Sequence, residues 1–128
     1  MGNIVTNIGG VLSAVTNTVA YTDSSAVTIG TIPANAQIVD INIDVTTAFN
    51  AATTNTVTVG KSGSAAAFVA STSVGSAGRA NIATTGVYSA WADTGAAEVA
   101  VTATYGQTGT AATAGAMRVT VVYRSPAP

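Results

Sequence analysis

The residues best placed to do chemistry stand in one short run, "TIPANAQIVDINIDVTTAFN", residues 31–50. Asp40, Asn42 and Asp44 alternate there with Val39, Ile41, Ile43 and Val45, an apolar row that reads as a strand face turned into a core. Two acids in a row could hold a cation or share acid–base work. Strand geometry argues against both: a rise of ~3.3 Å per residue separates i and i+2 by about 6.6 Å and i and i+4 by about 13 Å. Calcium needs its oxygens at roughly 2.3–2.6 Å, and glycosidase acid pairs stand ~5–9.5 Å apart. Asp23, Asp93 and Glu98 are the only other acids that could complete such a site. The row therefore reads as a solvated or inter-subunit face.

Tyr88, Trp91 and Asp93 in "GVYSAWADTG" are the second constellation, since aromatic–acid clusters stack on and hydrogen-bond sugars. Read as a strand, positions 88 and 91 point to opposite faces and form no single platform without a bulge. Core anchoring is the competing role, because aromatics bury large areas. "GKSGS" around Lys61 suggests a phosphate loop, but G-x-x-x-x-G-K-[ST] is not there and no helix follows, so a hairpin loop is expected. Arg118 and Arg124 flank the last strand on its outward side, where they could meet the acids of the 40–44 row across an interface.

Composition narrows the classes further. Cysteine and histidine are both absent. That removes the usual transition-metal ligands, the usual base near neutral pH and the Ser-His-Asp and Cys-His nucleophile systems. No catalytic residue, cofactor or metal is expected. Charged residues are 7% of the chain, with a net charge of -1, against roughly 25% charged in an ordinary domain. Lys61, Arg79, Arg118 and Arg124 are scattered, so nothing steers the chain toward nucleic acid or an anionic membrane. No stretch approaches the ~20 apolar residues of a membrane helix. "MGNIVTNIGG" has no basic residue ahead of its apolar positions, so it does not read as a secretory signal, although Gly2 and Thr6 fit the short, common myristoylation pattern. A weakly charged surface promotes association. It suits a protein that ends in an assembly.

The elements that must position these residues are strands. Val, Thr and Ile dominate, and branched side chains fit the pleated surface. Period-two alternation marks 37–47, 55–60, 97–105 and 116–124, with shorter candidates at 17–21, 26–30, 67–71 and 87–92. Val99, Val101, Ala103 and Tyr105 share one face, as do Met117, Val119, Val121 and Tyr123. Gly, Ser, Asn and Thr runs separate them. One buried face per strand is the antiparallel signature. The expected fold is an all-β antiparallel sandwich or jelly roll of about eight strands, residues 17–128, preceded by an arm, residues 1–16. In the arm Ile4, Ile8, Val11 and Val15 recur at heptad-like spacing beside Val5 and Leu12, but Gly9 and Gly10 interrupt a helix. The arm is expected to order against its own sandwich or a neighbouring subunit, or else to be an extra edge strand. Candidate assembly contacts are Ile4, Ile8, Val11, Leu12, Val15, Asp40, Asp44, Arg118 and Arg124.

The runs "GTIPANAQIVDINIDVTTAFN", "NTVTVG" and "EVAVTATYG…TAGAMRVTVVYR" together resemble small structural proteins of tailed bacteriophages. The likeness extends from about Gly30 to Tyr123, with a gap across 61–95. It implies a non-enzymatic β-sandwich or jelly-roll subunit that decorates or cements a capsid, or sits in tail or fibre parts. It further implies a homo-oligomer, a trimer in the decoration type, with the major capsid protein as partner and the virion head surface as location. The alternative is a tail or fibre domain that binds host glycan through Trp91 and Tyr88.

Overall fold

The computed structural model describes residues 12–125. Eight strands form: β1 (Leu12–Ala20), β2 (Val27–Ile32), β3 (Gln37–Thr47), β4 (Thr54–Lys61), β5 (Ser64–Ser73), β6 (Gly78–Arg79), β7 (Val99–Thr108) and β8 (Ala116–Arg124). A one-turn helix, α1 (Tyr88–Trp91), lies between β6 and β7. The strands sort into two four-stranded sheets, β1-β8-β3-β6 and β2-β7-β4-β5. The antiparallel pairs β1–β8, β2–β7, β3–β6 and β4–β5 are those of a long hairpin rolled up on itself. Further pairing of β3 with β8 and β4 with β7 joins the roll into two layers. This is the jelly-roll form of the expected sandwich.

The layers hold together because nearly every long strand buries alternate residues. Ile41, Ile43 and Val45 of β3, Val57 and Val59 of β4, Val101 and Ala103 of β7, and Met117, Val119 and Val121 of β8 are essentially inaccessible. Burying a Val, Ile or Met side chain stabilises by about 1.5–3 kcal/mol, less the entropy of ordering it. Phe49 closes one end of the core, its ring 4.4 Å from that of Tyr105. On the side where β1 and β2 meet, Gly30 lets the layers approach closely. A Cβ on it would sit 2.5 Å from Val15 Cβ.

Two local expectations are corrected. Val39 is not in the core row; it is 44% exposed. The pairing of β3 with β8 shifts register between Ile38 and Asp40, and that bulge re-aims Val39 outward while Ile38 takes the inner position. Residues 87–92 are not a strand, because Tyr88–Trp91 makes a helical turn. Conversely, β6 is a two-residue strand that no periodicity announces. The "GKSGS" run is a hairpin, with Lys61 paired to Ser64.

The Pro33-Ala-Asn-Ala turn carries the chain from one sheet to the other. Asn35 adopts φ 56, a left-handed conformation that Asn tolerates better than most residues. The turn is tied to the segment after α1: Thr94 Oγ1 donates to the Pro33 carbonyl at 3.0 Å and accepts from the Ala36 amide at 3.0 Å. Asn35 N–H donates to Gly95 O at 2.7 Å and Thr94 N–H to Ala36 O at 2.9 Å. These bonds satisfy polar groups at a buried corner, where an unmet group would cost about 1–3 kcal/mol.

Candidate assembly surface

The sandwich presents two outer faces of different chemistry. On the β1-β8-β3-β6 sheet the outward positions include Asp40, Asp44, Arg79, Arg118 and Arg124, five of the nine charged residues. Arg79 Nη2 lies 3.1 Å from Asp40 Oδ2, and Arg118 Nη2 3.5 Å from Asp44 Oδ2. Both pairs lie within one chain, between neighbouring strands of one sheet. The acids that could have met arginines across an interface already have partners here. With both arginines more than half exposed, each pair is worth about 0–1 kcal/mol. Arg124 has no carboxylate at ion-pair distance among the described residues. Between the two acids, Asn42 Oδ1 is buried with no hydrogen-bond partner, a feature nothing around it explains.

The remaining predicted contacts fall into two groups. Ile4, Ile8 and Val11 lie outside the described residues. Leu12 opens β1 and is 53% exposed, whereas Val15 is half-buried against the core. Residues 12–16, placed in the arm by the sequence, pair with Thr120–Arg124 in β1, an edge strand of the first sheet.

The outer face of the β2-β7-β4-β5 sheet is different. Thr28, Thr102, Thr104, Thr54, Thr56, Thr58 and Thr108 cover its strands, with Ala100 and Gly106 between them. Thr58 stands opposite Thr104, and Thr54 and Thr108 join hydroxyls at 2.7 Å. No charged side chain stands at an outward position of β2, β7 or β4 short of Lys61 at the hairpin. Sequence reasoning missed this face. The signal was there, in the Thr-x-Thr spacing of 54–58 and 102–104, but its meaning depends on β4 and β7 being neighbours.

The aromatic constellation is rearranged by the helical turn. Three residues apart on α1, Tyr88 and Trp91 meet edge to face, centroids 4.5 Å apart. Trp91 is 5% exposed, and its Nε1–H donates to the Phe68 carbonyl at 2.9 Å. Tyr88 is 51% exposed, its hydroxyl donating to Ile82 O at 3.2 Å. The indole is a core anchor with no open face for a sugar ring. A cleft of about 490 Å³, lined by Lys61, Thr94, Glu98 and Val99 among others, brings no two carboxylates together. No group of three or more His, Cys, Asp or Glu able to hold a metal occurs among the described residues.

No protein-family model matches the sequence, and no curated protein matches it. In a solved structure of the cyanophage Pam1 capsid asymmetric unit, one chain superposes on this one with a TM-score of 0.72. The two are 22% identical, over 98% of this chain and 93% of that one. At that identity the likeness establishes a shared fold.

One titratable group bears on the surface's support. Burial pushes the Tyr105 hydroxyl above its ordinary 10.0, and the neutral O–H donates to Asn55 Oδ1 at 2.7 Å. Asn55 in turn braces the chain at Ala51, accepting from its amide and donating to its carbonyl. The unfolded chain ionises this phenol near 10.0 while the folded chain holds the proton. Stability present below that pH is therefore lost progressively as pH rises through the folded value. Urea titrations at rising alkaline pH should show this fall, and Tyr105→Phe should flatten it. An unchanged slope in the variant would remove Tyr105 as its source.

Proposed function

We propose that this chain is a non-enzymatic structural component of a bacteriophage virion, a decoration (cement) protein that self-associates and seats on the outer surface of the head. The observation that carries the reading is the fold likeness, nearly end to end, to a chain of a cyanophage capsid asymmetric unit. The sequence resemblance of the Gly30–Tyr123 stretch to phage structural proteins points the same way. The uncharged threonine sheet is the surface offered to the shell. Charged residues are depleted at the centres of protein interfaces, and the charged opposite sheet is the natural water-facing side. Attachment then stabilises the shell through area removed from water and through hydroxyl contacts.

The test uses purified protein, particles lacking it and co-sedimentation. Attachment should persist at about 1 M salt, where exposed charge pairs beyond ~3 Å are screened. Thr58→Glu with Thr104→Glu should abolish it, while Thr16→Glu on the opposite sheet should leave it intact. Release by salt, or equal binding by the first variant, would defeat the reading. Light scattering on the free protein checks the three-fold association proposed with this role.

A further inference from the structure

We infer that the half of the β1 edge left without side-chain caps is a strand-accepting site, occupied by residues 5–9 of the same chain. The inference is independent of the virion reading. Its first support is the direction of the β1 amides. Thr18 N–H is met by Asn17 Oδ1 and Ala20 N–H by Asp23 Oδ2, both at 2.8 Å, so even-numbered amides face away from β8. Tyr21 N–H, donating to Gly115 O at 3.0 Å, continues the odd set toward β8. One half of the free edge is thus capped by side chains. In the other half, no side chain or loop group among the described residues meets the amides of Ala14 and Thr16, which by the same alternation also face away from β8.

Native sheets blunt such edges with charge, proline, a bulge or a covering segment. Leu12–Thr16 carries no charge and no proline, and β1 pairs with β8 in unbroken register. A covering segment is the device left. Eleven residues precede Leu12, a reach of up to about 36–40 Å. Within them Ile4, Thr6 and Ile8 alternate with Val5 and Asn7, the period of a strand. Gly10 then supplies the first central position of a type II′ turn over Gly10–Val11, whose twist suits a hairpin. That turn pairs Gly9 with Leu12, Asn7 with Ala14 and Val5 with Thr16. It thereby meets the even-numbered amides left open, and stops where Asn17 and Asp23 take over. Tethering by so short a linker gives an effective concentration in the mM range, which favours the chain's own segment over that of a second copy.

The chain has no cysteine of its own, so a designed pair reports cleanly. Full-length Asn7→Cys/Ala14→Cys protein, oxidised at low concentration, should form an intramolecular disulfide with monomer mass on a non-reducing gel. Amide exchange in the unmodified protein should be slowed at Ala14 and Thr16 by about 100-fold or more relative to Asn7→Pro, with Thr18 and Ala20 unchanged as the check on folding. A disulfide-linked dimer would assign the edge to a second copy and overturn the inference. Equal exchange at Ala14 and Thr16 in the two proteins would also overturn it, showing that this segment leaves the edge uncovered.

Discussion

Trp91→Ala should destabilise the protein by about 3–5 kcal/mol, the cost of emptying a large aromatic site in a core. A domain's whole stability is about 5–15 kcal/mol, so this one change puts folding at risk. The reason is position. α1 is only four residues long and makes no side-chain cap, so it is held by packing, and Trp91 is its one buried residue. Its indole packs in the core while its N–H holds the Phe68 carbonyl of β5. Trp91→Phe keeps most of the apolar volume and should cost far less, the hydrogen bond itself being worth about 0.5–1.5 kcal/mol. Chemical denaturation followed by circular dichroism measures both, since the sole tryptophan is removed as a fluorescent probe. If Trp91→Ala kept its midpoint and lost only sugar binding, the core assignment would be wrong and the glycan alternative would return.

Gly115→Ala should be the next most damaging change, although it adds a single methyl group. Gly115 has φ +148, outside the range that side chains accept readily. A Cβ there would stand 2.3–2.8 Å from three ring atoms of Phe49. Overpacking of this kind costs about 1–3 kcal/mol, and the strained backbone adds about 1–3 kcal/mol. Phe49 cannot simply retreat, because it is 2% exposed and stacked on Tyr105. Adding Phe49→Leu to Gly115→Ala should relieve the clash but not the strain. The pair should therefore lose less than the two separate losses combined, a non-additivity that a double-mutant cycle in urea detects. Strict additivity would mean that the ring and the new methyl never meet.

These two sites differ in how far the sequence announced them. Trp91 is the only tryptophan, yet the spacing of residues 87–92 suggests a strand. A four-residue helix is too short to write a 3.6-residue period, so apolar spacing could not identify it. Gly115 sits in a glycine-rich run with nothing local to distinguish it. Its need for glycine comes from Phe49, 66 positions earlier in the chain.

Strand positions were legible where one face is buried along a whole strand. Gln37–Thr47, Val99–Thr108 and Ala116–Arg124 each carry that alternation, because the core excludes polar side chains at every second residue. Antiparallel pairing and the sandwich class followed from the same pattern. The bulge that turns Val39 outward was not legible, because it arises from β3 fitting β8 with one residue to spare. Nor were the partners of the acidic row. Asp40 meets Arg79 and Asp44 meets Arg118 because β6 and β8 flank β3.

The sequence by itself determined where most of the long strands run, which side of them is mainly apolar, and that histidine and cysteine are absent. Those are local properties, set by residue type and a two-residue period. Only the tertiary structure decided which strands are neighbours. That choice gathers five charges onto one sheet and leaves the other with an uncharged, threonine-covered face. Side chains on different strands share a face only through the backbone pairing between them, and the partners in that pairing lie tens of residues apart in the chain.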